Sequence, residues 1–171
     1  MNTNKAEKIE CEKKFLIAFP DTDLLKSQGG CTVTEMEQTY LLSGNGSMRV
    51  RKATRNGETK YIRNIKKRIS DMSSYEDEKE ISEEAYNELL LCADPERSTV
   101  RKTRYAFPYG KHIIEIDVYP FWSDRAVLEI ELDAEDEEYE IPSCITVLKD
   151  VTNDKRYSNR ALAREIITEE V

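Results

Sequence analysis

A mainly β domain, closed into a barrel or a sandwich, is what the sequence predicts. Three observations point there: short runs that alternate apolar and polar residues, turn-forming clusters of Gly, Asn and Pro between those runs, and few helical segments. The alternation is clearest from Ile9 to Ile17, Thr34 to Leu42, Ser47 to Ala53, Lys60 to Arg68, Tyr75 to Ile81, Val100 to Phe107, Lys111 to Tyr119 and Ala126 to Asp133. Hairpin-type loops fall between them at Ser43-Gly44-Asn45-Gly46, Arg55-Asn56-Gly57 and Pro108-Tyr109-Gly110, where Gly and Asn accept the positive φ of tight turns. Eight such strands in one chain of 171 residues suggest closure, which leaves no exposed sheet edge.

Helices are fewer. Ser82-Glu83-Glu84 offers a cap and an acidic first turn, so a short helix is expected to continue from Ala85 to Cys92 and to end at Asp94-Pro95. Ser158-Asn159-Arg160-Ala161 opens a second helix, expected to run towards Glu170. A short helical turn is expected after Pro20, capped by Asp21 or Thr22. The chain has no linker, low-complexity segment or repeat of fixed period, which fits one domain over residues 1–171 with one active site.

Composition narrows the function classes. The chain is 39% hydrophobic and 35% charged, with a net charge of −8 that argues against nucleic-acid binding, where a basic stripe must displace counterions. Much of the acidic excess lies in Glu129 to Glu140, whose later part reads as a solvated loop. The first residues, Met1 to Lys8, have no apolar leader core, and no run is apolar enough to span a bilayer, so a cytoplasmic protein with no membrane partner is expected. Four cysteines, Cys11, Cys31, Cys92 and Cys144, are far apart and read as reduced, buried thiols. With His112 the only histidine, histidine-based triads and multi-histidine metal sites are excluded, and any metal must be held mainly by carboxylates.

The charges inside the strands are the most informative feature. Residues two apart in a strand share a face. Glu10, Glu12 and Lys14 therefore stand together, as do Arg49 with Arg51, Lys102 with Arg104, Glu115 with Asp117, and Glu129 with Glu131. One reading makes these the wet faces of a sandwich. The other starts from their segregation by strand: like charges two apart repel unless something bound between them compensates. A triphosphate with a divalent cation would do so, since its oxygens want Arg and Lys while Mg²⁺ or Mn²⁺ wants carboxylates.

The segment Ile9-Glu10-Cys11-Glu12-Lys13-Lys14-Phe15 resembles the N-terminal ExExK signature of the CYTH, or triphosphate tunnel metalloenzyme, family. Companion motifs follow in the family's order: Gln38-Thr39-Tyr40-Leu41, Arg49-x-Arg51, Ile65-Lys66, Glu76-x-Glu78, Lys102-x-Arg104, Glu115-Ile116-Asp117-Val118 and Glu129-Ile130-Glu131-Leu132. The stretch Asp150 to Asn159, followed by Ala161-Leu162-Ala163, resembles the closing motif of short bacterial members. One departure stands out: relatives often carry an arginine just ahead of the Glu-x-Glu strand, where this chain has Ser74 and Tyr75.

The resemblance implies an eight-stranded antiparallel closed barrel with its charged side chains inward, a few short helices and a C-terminal helix. It implies Glu10, Glu12, Glu129 and Glu131 as metal-binding catalytic carboxylates, with Glu76, Glu78 and Asp117 supporting. Lys14, also counted as catalytic, would hold phosphate oxygens together with Arg49, Arg51, Lys66, Lys102 and Arg104. Tyr40 is open between substrate contact and packing, and Glu76, Glu78 and Glu80 leave open which two point inward. Lys149 and Asp150 either line an exit or are solvated turn charges, and Tyr157 and Asn159 are expected to anchor the C-terminal helix. The implied activity is metal-dependent hydrolysis of a triphosphate, with inorganic tripolyphosphate favoured by the compact size and short ending. A nucleotide-using member (class IV adenylyl cyclase, nucleotide triphosphatase or thiamine triphosphatase) and a non-catalytic polyphosphate-binding module are the alternatives. The sequence leaves a homodimer open.

Overall fold

A computed structural model describes residues 8–44 and 46–171. In chain order the elements are β1 (Lys8–Ala18), α1 (Thr22–Lys26), β2 (Thr32–Leu41), β3 (Ser47–Arg55), β4 (Glu58–Arg68), β5 (Ser73–Ile81), α2 (Glu83–Leu90), β6 (Val100–Tyr109), β7 (His112–Val118), β8 (Arg125–Leu132), β9 (Val147–Asp150), a 3₁₀ turn (Lys155–Tyr157) and α3 (Asn159–Leu162). The expected leader-free start, Met1 to Lys8, falls outside the described residues except for the backbone of Lys8, and so does Asn45 of the expected Ser43–Gly46 turn.

The strands pair antiparallel in the order β5-β4-β3-β2-β6-β7-β8-β1-β9, and β1 also pairs with β5. That last pairing closes an eight-stranded barrel. β1 makes closure work by dividing one edge: Lys8 to Cys11 pair with β5, and Phe15 to Ile17 pair with β9, while its other edge serves β8 from Cys11 to Ala18. The β3–β4 hairpin turns at Asn56 (φ 51) and Gly57 (φ 78), with Arg55 opposite Glu58, as a two-residue turn with two positive φ values requires.

Alternation decides what faces in. Cys11, Phe15 and Ile17 of β1, Tyr105 and Phe107 of β6, Ile114 and Ile116 of β7, and Ala126, Leu128, Ile130 and Leu132 of β8 form one apolar cluster on the outside of the wall. Leu25 of α1 is part of it, and Tyr139, Ile141 and Ile145 of the β8–β9 connection pack on it. A second outer cluster, around Leu41, Val50 and Tyr86, lies under α2. Each of these large side chains stabilises the fold by about 1.5–3 kcal/mol through burial. The wet-face sandwich is thereby excluded: the apolar faces are covered from outside, and the charged faces are turned inward.

One end of the barrel is plugged. Leu16, Tyr40, Val100, Tyr119 and Val127 sit on the inward face beyond the charged residues and pack with Trp122, Val151, Tyr157, Leu162 and Ala163. On β1 the inward series runs Glu10, Glu12, Lys14, Leu16, so a single strand passes from charged lumen to apolar plug.

Two expectations need correction, and one strand was unforeseen. The C-terminal helix stops at Leu162 and does not run to Glu170. Ile166-Ile167-Thr168 is a β-branched run, and Glu169-Glu170 would place negative charge at the negative end of the helix dipole. The tail is instead held by Trp122 Nε1 donating to the Ile167 carbonyl at 2.8 Å. Strand β9 was not expected, because four residues are too few to display a period. Of the cysteines all are free thiols, but only Cys11 is buried; Cys92 and Cys144 are exposed.

Candidate active site

The inward face encloses a cavity of about 690 Å³. Its lining draws on every wall: Glu10, Glu12 and Lys14 from β1, Arg49 and Arg51 from β3, Lys66 from β4, Glu76 and Glu78 from β5, Lys102 and Arg104 from β6, and Glu129 and Glu131 from β8. Every site residue expected from the sequence therefore lines this cavity, apart from Asp117. Asp117 lies beneath it, fully buried against Lys102 and Arg104. The open choice on β5 resolves to Glu76 and Glu78; Glu80 is exposed and reaches Lys60 at 4.0 Å.

The side towards the plug is densely paired. Lys102 Nζ lies 2.6 Å from Asp117 Oδ2, with both side chains almost wholly buried. Arg104 grips the same carboxylate with two bonds, Nε to Oδ1 at 2.7 Å and Nη2 to Oδ2 at 2.9 Å, and also pairs with Glu115 and, at 3.7 Å, with Glu129. Lys14 reaches Glu129 at 3.3 Å. Burial works to raise the Asp117 carboxyl, but Arg104 and then Lys102 overcome it and hold it well below the usual range. Glu129 is likewise held down, to about 2, against burial, by Lys14 and Arg104. Burial draws the Lys102 ammonium below the usual lysine range despite Asp117, with Arg104 adding to the effect.

The side towards β5 is looser. Glu10 and Glu76 face each other, and burial together with the Glu76 hydrogen bond pushes the Glu10 carboxyl up to about 8. Burial also acts to raise Glu76, yet the hydrogen bond from Glu10, with Lys66, Asn64 and Arg49, keeps it below its ordinary value. Lys66 approaches Glu10 at 3.7 Å and Arg49 approaches Glu76 at 3.9 Å. Among the described residues Arg51 is the one expected phosphate-binding cation that forms no ion pair with a carboxylate; its Nε donates to the Gln38 side-chain oxygen at 2.9 Å.

Acids also meet acids across strands. Glu12 lies opposite Glu131 and Glu115 opposite Glu129 in register, an arrangement that costs stability unless a cation intervenes. Arg104 intervenes for Glu115 and Glu129. Among the described residues no group of three His, Cys, Asp or Glu side chains converges to hold a metal ion. The donor chemistry still suits a hard divalent cation: Glu10, Glu12 and Glu131 present carboxylate oxygens from adjacent strands along one side of the cavity.

Several lining residues went unassigned in the sequence reading. Glu115 was paired with Asp117 on one strand face but given no role at the site. Asn64 stands two residues before Lys66 and donates to Glu76. Asp154, Lys155 and Arg160, from the segment after β9, also line the cavity, and no strand period could have placed them there. Lys149 does not line it, and Asp150 pairs with Lys13 at 3.4 Å and accepts from the Thr152 amide. Tyr157 is buried in the plug and Asn159 accepts from the Tyr119 hydroxyl, so both anchor the C-terminal segment as expected, although the helix is one turn long. Tyr40 packs in the plug and also borders the cavity.

An antiparallel barrel with its apolar face outside and acids and bases crowding its lumen defines a class of tunnel proteins. No family model matches the chain. It is 32% identical over 161 residues to the inorganic triphosphatase of Nitrosomonas europaea, covering 92% of this chain and 98% of that one. The crystal structure of the inorganic triphosphatase NE1496 superposes with a TM-score of 0.56 at 30% identity, over 92% of this chain and 95% of that one. The PH1819 protein from Pyrococcus horikoshii OT3 shares the fold at 20% identity, with a TM-score of 0.55 over 74% of this chain and 80% of that one. The chain belongs to the CYTH, or triphosphate tunnel metalloenzyme, family.

Proposed function

We propose that this protein is a cytoplasmic, metal-dependent triphosphate hydrolase that converts inorganic tripolyphosphate to pyrophosphate and orthophosphate. The observation that carries the reading is the single cavity in which Lys14, Arg49, Arg51, Lys66, Lys102 and Arg104 converge from four strands above a sealed floor. A linear polyanion meets cations along its length there, and the plug limits how far it enters. The near full-length similarity to an inorganic triphosphatase supports the same substrate.

In this reading Arg49, Arg51 and Lys66 hold phosphate oxygens on one side, and Lys14 and Arg104 do so on the other. Asp117 fixes Lys102 and Arg104, so their charges are in place before substrate arrives, which is the preorganised part of catalysis. Glu10, Glu12 and Glu131 would hold Mg²⁺ or Mn²⁺, with Glu129 nearby but engaged by Lys14 and Arg104. Such a cation, when bound, neutralises phosphate oxygens and lowers the pKa of bound water. Water attacks the terminal phosphorus, the bond to the bridging oxygen breaks, and pyrophosphate leaves with its new negative charge against the cationic wall.

The test is phosphate release from tripolyphosphate, ATP and thiamine triphosphate with Mg²⁺, Mn²⁺ or EDTA, alongside a cyclic AMP assay. Tripolyphosphate should turn over fastest, and EDTA should stop it. Preferential conversion of ATP with cyclic AMP formation, or tight binding of tripolyphosphate without hydrolysis under either metal, would contradict the reading.

A further inference from the structure

Strand β2 carries an uncharged pair directly opposite the two cavity-lining arginines of β3: Gln38 faces Arg51, and Tyr40 faces Arg49. Both partners are engaged. The Gln38 oxygen accepts from Arg51 Nε at 2.9 Å, and the Tyr40 hydroxyl is within hydrogen-bond reach of Arg49. Gln38 is completely buried, and its amide nitrogen has no hydrogen-bond partner. Because Arg51 Nε can only donate, the orientation of that amide is fixed, and the unpartnered NH₂ follows from it.

This choice of side chain is costly in a specific way. A glutamate of the same shape would accept the same bond, remove the orphaned donor and neutralise an arginine that has no carboxylate partner among the described residues. Every other cation of the proposed phosphate row already has such a partner. Burial, with Arg49 and Arg104 nearby, lowers the Arg51 pKa to about 10, and the more distant Glu78 and Asp117 offset this only in part. Glu would fill the same space and accept the same bond, and the chain has Gln.

We propose that Gln38 is a positioning residue for the reaction: its neutral amide tethers Arg51 by Nε and leaves the guanidinium's other edge, and its charge, for a phosphate oxygen of the substrate. The proposal rests on the triphosphatase reading above. It assigns Gln38 a role that works through Arg51, not through contact with substrate.

The experiment compares wild type, Q38E and Q38M, each also in an R51A background, by steady-state kinetics on tripolyphosphate with Mg²⁺ and by thermal unfolding. Q38E should keep a cooperative unfolding transition while its KM rises about tenfold or more with kcat little changed, the signature of lost binding charge. Q38M, which frees Arg51 without neutralising it, should raise KM less. In the R51A background both substitutions should leave KM within about twofold. A wild-type KM in Q38E, or an equal rise of KM with and without Arg51, overturns the proposal. If Q38E lacks a cooperative transition, Q38M decides: a raised KM that depends on Arg51 supports the role, and an unchanged KM overturns it. Wild-type protein that releases no phosphate sinks the functional reading itself, whereas active wild type with unmoved Gln38 variants sinks only this inference.

Discussion

The two sides of the lumen solve opposite problems. On the side formed by β6, β7 and β8 with Lys14, nearly every charge is matched within the protein, from Lys102 with Asp117 at 2.6 Å to Arg104 with three carboxylates. On the side formed by β3, β4 and β5, pairs are long, Glu76 faces another acid, Glu10, and Arg51 has only an amide. The first side is built to be stable without ligand, and the second leaves charge for a ligand to complete. The same residue types, at the same strand spacing, thus serve as scaffold on one side and as binding surface on the other.

Breaking the matched side should cost the most stability. Asp117→Asn strands the buried Lys102 and takes one of three carboxylates from Arg104, and should destabilise the protein by about 3–5 kcal/mol, measured by denaturant unfolding. The sign of its pH dependence follows from the lowered carboxyl: its contribution is present above the ordinary value of 3.8 and is lost as pH falls below it. An acid-unfolding limb that begins near pH 4 in wild type should therefore flatten in Asp117→Asn. Within the plug below, Leu16→Ala should cost about 2–5 kcal/mol, with a lower melting temperature as readout.

The proposed metal and phosphate ligands should respond in activity. Glu131→Gln should lower kcat/KM about a hundredfold or more in phosphate-release assays, while its unfolding midpoint stays near wild type. Arg51→Ala should raise KM for tripolyphosphate about tenfold without loss of stability, whereas Arg104→Ala should lose both. The smallest effect is expected outside the lumen: removing residues 166–171 takes away the Trp122–Ile167 bond and should cost about 1 kcal/mol, measured by thermal unfolding. Equal responses of Arg51 and Arg104 would erase the contrast between the two sides.

Much of this was legible in the sequence, and the limits have physical causes. Period-two alternation located all eight barrel strands, and the same-face acids and bases, with the motifs of the family resemblance, named most of the charged strand residues of the lining. Alternation cannot say which face is inside, because a barrel with a charged lumen and a sandwich with a wet surface share one pattern. Nor can it say which carboxylate meets which cation. Glu129 reads like Glu131 along the strand, yet register sets Glu129 opposite Lys14 and Glu131 opposite Glu12. β9, the short α3 and the cavity-lining Asp154 and Lys155 depend on long-range pairing with β1 and on packing against the plug, which leave no local signature.

The most direct test follows the phosphorus atoms themselves. Time-resolved ³¹P NMR of tripolyphosphate with the protein and Mg²⁺ should show the central and terminal signals decaying into one pyrophosphate and one orthophosphate per molecule, at a rate reduced in Arg51→Ala. Tripolyphosphate signals that persist unchanged with folded protein, or that decay equally fast when Arg51 is removed, would contradict the account of an inward-facing, partly uncompensated cationic lumen.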